Sequence, residues 1–262
     1  MATYVYCLIA GRVRPAVPRT PAGLPGLGPV RLLEVTDVGG RGLKLWLAVS
    51  EAPLARYSED AINQRISNLN WVSRAAIAHE TVVESFIDQP AVVPMKLFTI
   101  FTSDERALEH LQADRRRVDR IVKRVAGHQE WGVRVVLTRG EKRSRTPLSK
   151  RTGPAPGQSG VAYLAAKKQQ REESTELQAH ARTTVATLYD RLEDEATRAK
   201  RRAASELPVQ GGPLLLDAAF LVPRSRARGF RSLVTRQSKT LAAQGYGLTL
   251  SGPWPAYSFI ED

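Results

Sequence analysis

Among the residues of this 262-residue chain that could carry acid–base, nucleophilic or metal chemistry are four histidines, one cysteine and 26 acidic side chains. His79 and Glu80 stand side by side in a stretch of helical periodicity, where an imidazole and a carboxylate could relay a proton. The pair also opens the zinc-helix pattern His-Glu-x-x-His, which requires a second histidine one turn on. Val83 stands there instead. The plainer reading, a histidine hydrogen-bonded at a helix–sheet or domain interface, is therefore favoured. His110, His128 and His180 share no ligand spacing, and the single Cys7 excludes an intrachain disulfide or a multi-cysteine metal site. Gly26-Leu-Gly28 lacks the third glycine of a dinucleotide loop, and no Gly-Lys pair marks a P-loop. No catalytic residue, metal site or cofactor is expected, and the chain reads as a non-enzyme.

Charge is the second chemical signal. Lys and Arg number 39 against 26 Asp and Glu, a net +13 with a pI near 10.3. Such a balance attracts nucleic acid, acidic proteins or anionic surfaces, although genomic base bias produces arginine-rich chains as well. Arg224, Arg226, Arg228, Arg231, Arg236 and Lys239 have no acidic residue among them. The first four are the candidate partner-binding residues. Phe230, the one aromatic interleaved with them, falls on an apolar face with Leu233, Val234 and Leu241, so no base-stacking platform is expected. Arg115–Arg117 with Arg120, Lys123 and Arg124 read as a solvated helix face.

The elements that must position these residues have an α+β order. Thr3–Ala10 reads as a first strand, and the Pro/Gly-rich stretch from Arg12 to Pro29 as loop. Val30–Val38 and Leu43–Ser50 read as strands joined at Gly39–Gly42, the second with Leu43, Leu45, Leu47 and Val49 on one buried face and Trp46 on the other. From Glu59 to Ile87 one long helix is expected behind an N-cap at Ser58, with Ile62, Ile66, Leu69, Ser73, Ala76, Val83 and Ile87 near helical spacing. Ala91–Phe101 reads as a buried strand. Ser103 and Asp104 open a further helix, striped by Leu108, Leu111, Val118, Val122 and Val125, that stops before Gly127.

A second unit follows. Glu130–Leu137 is its first strand, 139–158 a basic and mobile loop, and Tyr163–Ser205 one long helix or two. The helix face is Leu177, Ala181, Val185, Leu188 and Leu192. Leu214–Val222 reads as a central strand, Ser225–Ala243 as a basic helix and Tyr246–Ser251 as the last strand. This β-α-β-α-β order suggests a modified ferredoxin-like layer of helices on a sheet. The expected domains are 1–126 and 127–251, with 252–262 as a tail. No run approaches the ~20 apolar residues of a membrane span. The apolar start has no basic flank before it, so a cytoplasmic protein is expected.

The tail raises its own question. Residues 251–260 read Ser-Gly-Pro-Trp-Pro-Ala-Tyr-Ser-Phe-Ile. Pro253 and Pro255 remove N–H donors and hold their predecessors extended, which predicts a stiff, non-helical arm. Trp254, Tyr257 and Phe259 then need an apolar surface on which to dock.

Taken together, several segments resemble the gas vesicle accessory proteins F and L. They are Tyr4-Val-Tyr6, Gly23-Leu-Pro-Gly26, His79-Glu-Thr-Val-Val-Glu84 and Val92-Val-Pro-Met-Lys96 with Phe98 and Phe101. Further on come Glu130-Trp-Gly-Val133, Gly160-Val-Ala-Tyr-Leu164 with Lys167 and Lys168, Ala218-Ala-Phe-Leu-Val222 and, after Leu248-Thr-Leu250, Gly252-Pro-Trp-Pro-Ala-Tyr-Ser-Phe259. The resemblance runs in order over essentially the whole chain, and its last stretch is distinctive. It implies a two-domain α+β protein whose second domain is a modified ferredoxin-like fold, with an extended tail fastening the two domains. Trp254, Tyr257 and Phe259, together with His79 and Glu80, are then interdomain and tail residues. The implied role is assisting assembly of the gas vesicle wall, in contact with the small apolar shell protein and other accessory proteins. No catalytic residue carries over. The chain departs from the family in Leu97-Phe98-Thr99, where a Phe-Gly pair is common, and in its enlarged basic loop. A basic adaptor for nucleic acid or acidic protein surfaces is the rival reading, resting on charge alone.

Overall fold

In the computed structural model the first strand, β1 (Ala2–Gly11), is buried at every position. The structure describes residues 1–17, 23–35, 43–138, 160–202 and 212–261, with side chains except at 160–166, 170, 172–174 and 176–178. Two compact units emerge, Met1–Glu130 together with Pro253–Asp262, and Trp131–Gly252. The Gly39–Gly42 turn and the basic loop 139–158 lie outside the described residues, as does the side chain of Leu177.

In the N-terminal unit β1 occupies the middle of a sheet ordered β2 (Arg31–Val35), β3 (Lys44–Ala52), β1, β4 (Ala91–Pro94), and β5 (Ile100–Phe101) also pairs with β1. All of its recorded pairings are antiparallel. The β1–β3 register slips between Val5 and Cys7, leaving Tyr6 as an extra residue. A bulge of this kind re-aims side chains. Tyr4, Tyr6, Cys7 and Ile9 accordingly all join one core cluster with Trp46 and with Ala75, Val82 and Val83 of the helix above.

Helices α1 (Leu54–Tyr57), α2 (Glu59–Asn63) and α3 (Leu69–Glu84) follow β3. The single helix expected over 59–87 is thus divided. Ser58 caps only the short α2, through its Oγ and Ala61 N, and Asn68 Oδ1 caps α3 through Trp71 N. The buried positions of α3 are Ala75, His79, Val82 and Val83, whereas Ile66 and Leu69 of the expected stripe are exposed. Strand β3 corrects the reading of one buried face: Leu45, Trp46, Leu47, Ala48 and Val49 are all buried. The sheet is covered on both sides, by α3 on one and by α4 (Asp104–Ala113) and α5 (Arg115–Val125) on the other. The α4–α5 pair was expected as one helix and breaks at Asp114. The expected strand 91–101 is also interrupted, because Met95–Thr99 forms a turn with Phe98 at φ 65° and Thr99 N bonded to Lys96 O.

The second sheet is ordered β7 (Arg198–Arg201), β8 (Leu214–Pro223), β6 (His128–Leu137), β9 (Tyr246–Trp254). Helices α6 (Gly160–Glu193) and α7 (Ala227–Ala243) supply Ala181, Val185, Leu188, Leu192, Phe230, Val234 and Leu241 to its core. The helix expected to reach Ser205 ends at Glu193, and β7 follows it at the sheet edge. Strand β8 is inner, as expected, and its Asp217 is buried between Arg134 (2.9 Å) and Arg202 (3.3 Å). Strand β9 runs three residues past Ser251. Pro253 is tolerated because β9 is an edge strand, where a missing N–H breaks no ladder bond. Beyond it the expected extended arm instead turns, through a one-turn 3₁₀ helix at Tyr257–Phe259.

Candidate functional site

His79 lies inside the N-terminal unit with both ring nitrogens engaged. Its Nε2 sits 3.1 Å from Met95 O, which can only accept, so Nε2 carries the proton. Nδ1 then accepts from the Tyr4 hydroxyl at 2.7 Å, and that hydroxyl in turn accepts from Phe98 N at 3.3 Å. Burial holds the imidazole neutral, lowering its pKa to about 4. One chain of hydrogen bonds thereby ties α3, β1 and the positive-φ turn at Phe98 together. Glu80, next in sequence, points the other way and is exposed. The two neighbours of the sequence motif therefore occupy different surroundings.

Tyr6 organises the adjacent loop. Its hydroxyl accepts from Leu24 N and donates to Ser50 Oγ, both at 3.3 Å. Gly23 has φ 73°, and a Cβ there would collide with the Tyr6 hydroxyl. Gly26 has φ 83°, and Pro25 O between them accepts from the Tyr57 hydroxyl at 2.8 Å. The Gly-Leu-Pro-Gly segment is thus shaped by backbone geometry that side-chain-bearing residues rarely adopt.

The tail docks on the same unit, though not by the three aromatics equally. Phe259 is buried and Tyr257 packs against the core cluster, while Trp254 is 36% exposed. Pro255 and Ala256 are buried between them. The main anchor is a carboxylate: Glu130, 2% exposed, accepts from Ser258 N and Ser258 Oγ, each at 2.7 Å. Arg124 Nη1 donates to Phe259 O (3.0 Å) and Glu261 O (3.3 Å), and Lys96 pairs with Glu261 at 3.2 Å. The Tyr257 hydroxyl is buried without a hydrogen-bond partner among the described residues. Desolvation, reinforced by Glu80 and other acidic neighbours, pushes its pKa up.

Two apolar features accompany this frame. A cavity of about 250 Å³ lies between the sheet and α4–α5, lined by Leu8, Leu47, Val93, Leu111 and Ile121, with Ile260 of the tail among its walls. Along α1–α3, Leu54, Ile66, Leu69 and Ile77 are each more than half exposed.

In the other unit, Arg226, Arg228 and Arg231 are exposed and Arg224 is half-buried. Arg224 and Arg226 bound the 3₁₀ turn that leads into α7, and Arg228 and Arg231 lie on the helix itself. Sequence reading missed Glu130, Arg124 and Ser258 as tail anchors. The paired prolines flagged the tail, but nothing local links 130 to 258.

Comparison with known proteins adds the family. The model of the family "Gas vesicle synthesis protein GvpL/GvpF" matches residues 2–261. The chain is similar to gas vesicle protein L of Streptomyces sp. (strain CB03234), with 29% identity over 98% of this chain and 91% of that protein. Among solved structures it resembles the gas vesicle protein GvpF from Anabaena sp. PCC7120, at TM-score 0.66 and 17% identity over 100% of this chain and 96% of the other. GvpF from Microcystis aeruginosa aligns at TM-score 0.64 and 13% identity, over 100% and 99%. At those identities the structural matches speak for the fold.

Proposed function

The chain belongs to the gas vesicle synthesis protein GvpL/GvpF family, and we propose that it is a cytoplasmic accessory factor that assists nucleation or extension of the vesicle wall. It does so by binding the small apolar shell protein, in concert with other accessory proteins, and not by catalysis. The observation that carries this reading is the exposed aliphatic series Leu54, Ile66, Leu69 and Ile77. A shell subunit that buries apolar surface in its neighbours needs that surface covered before assembly, and aliphatic side chains on a helical segment can cover it. The tail braces the sheet and helices that carry the series. We read the second unit as a modified ferredoxin-like fold, since its β-α-β-β-α-β order and its sheet sequence β7-β8-β6-β9 match that arrangement.

The test is co-expression of the shell protein with a Leu69→Asp/Ile77→Asp variant. Both positions are exposed, so melting should be unchanged while shell-protein capture and vesicle yield fall sharply. Full capture by a folded variant would remove this surface from consideration, and salt-sensitive retention of DNA without shell-protein capture would favour the basic adaptor.

A further inference from the structure

We propose that the outer face of α7 is a docking site for an acidic helical segment of a protein partner, a site separate from the aliphatic surface of α1–α3. Between Asp217 and Glu261 the chain has no acidic residue, so α7 carries its cations without neutralisation from its own sequence. Space does not supply it either: among the described residues Arg226, Arg228, Arg236 and Lys239 take part in no ion pair. Arg228, Arg231, Ser232, Thr235 and Arg236 line a shallow recess of about 430 Å³ on that face.

The face is rigidly presented. Phe230, Val234 and Leu241 on the reverse side of α7 are buried in the core of the unit, which fixes the rotation of the helix. The Arg231 guanidinium lies 5.8 Å from the centre of the Trp131 ring, which holds it by cation–π attraction. At Gly229, exposed in the same helix, an added Cβ would meet nothing within 4 Å.

The chemistry of the face selects among anionic partners. Arg228, Arg231 or Ser232, Thr235 and Lys239 recur at three- and four-residue intervals, so cations and hydroxyls repeat once per turn, about 5.4 Å apart. A helix with Glu or Asp at the same intervals offers carboxylates at the matching pitch, and the Ser232 hydroxyl can donate to the oxygens between them, whereas that of Thr235 donates to Arg231 O at 2.9 Å. A single-stranded nucleic acid needs exposed aromatic faces for stacking, and Phe230 is fully buried. An anionic membrane would call for large apolar residues flanking the cations, and none of α7 is among the exposed large apolar residues.

The probe is a labelled helical peptide with Glu at i, i+4, i+7 and i+11, its binding to the full chain followed by fluorescence anisotropy at low salt. Arg228→Glu/Arg236→Glu should weaken binding at least tenfold with melting unchanged, while Arg116→Glu on α5 should change it less than twofold. Equal binding by the α7 variant and the parent chain would overturn the proposal. So would a short duplex DNA of equal charge that binds more tightly than the peptide and is lost in the same variant, since that would make the face a phosphate surface. Shell-protein capture by the α7 variant, measured in parallel, should stay intact, which separates this site from the aliphatic one.

Discussion

The two units differ in where they keep their charge and their apolar surface. In Met1–Glu130 with Pro253–Asp262, 17 Lys and Arg stand against 16 Asp and Glu, whereas Trp131–Gly252 has 22 against 10. The net +13 of the chain is thus almost wholly a property of one unit. The near-neutral unit exposes aliphatic side chains and buries two polar contacts, Tyr4 with His79 and Glu130 with Ser258, whereas the cationic unit exposes a helix whose Arg226, Arg228, Arg236 and Lys239 form no ion pair among the described residues. A global pI describes neither. One chain can thus keep its exposed aliphatic side chains and its excess of cations on separate units.

Breaking the tail should give the largest effect on the neutral unit. Phe259→Ala removes a buried aromatic and is expected to cost about 3 to 5 kcal/mol, read as a lower urea midpoint together with faster amide exchange in β1 and α3. An unchanged midpoint would mean that the unit holds without its tail.

Acid sharpens the contrast next. The folded-state pKa of His79 is lowered to about 4, below the ordinary ~6.5, so the unfolded chain takes up this proton first. Its contribution to stability is complete above pH 6.5 and is lost as pH falls towards 4, at up to about 1.4 kcal/mol per unit. Chemical denaturation from pH 7 to 4 should show that slope in the parent chain and its reduction in His79→Gln, whatever the overall stability of the variant.

Two smaller changes probe the same pair of units. Tyr257→Phe deletes a buried hydroxyl that has no partner among the described residues, so its effect on melting should be neutral or a gain of up to ~1 kcal/mol. A clear loss would reveal a partner for that oxygen. Gly229→Ala, at an exposed position in the first turn of α7, should stabilise by up to about 0.5 to 1 kcal/mol. A destabilised variant would show that the helix needs a glycine there.

Local signals were legible in sequence, and distant ones were not. Ser58 and Ser103 cap helices as expected, with Oγ accepting from Ala61 N and Arg106 N. The apolar run of β8 and the stripe Phe230, Val234 and Leu241 sit in the core. Strand β7 has the sequence Arg-Ala-Lys-Arg, without alternation, because it is an exposed edge whose pairing with β8 supplies the order. The break between α2 and α3 contains neither Gly nor Pro and was announced only by Asn68. For the candidate site, the tail aromatics were visible as a cluster needing cover, yet Trp254 is the one left partly in solvent. The bonds that hold the tail, and the Tyr4–His79 contact across 75 positions, depend on the folded register of β1 and on a bulge no local pattern encodes.

The docking of Pro253–Asp262 into the N-terminal unit also sets an order of events during synthesis. Strands β1–β5 and helices α1–α5 emerge from the ribosome first, but the groups that Glu130 and Arg124 bind in the finished unit come only after all of Trp131–Gly252 has been made. Until then the buried place of Phe259 is empty and the Glu130 carboxylate lacks Ser258. Domains made in sequence ordinarily fold as they emerge. Here the first unit to be translated is the last to be completed, which leaves a nascent form with its tail-binding surface open.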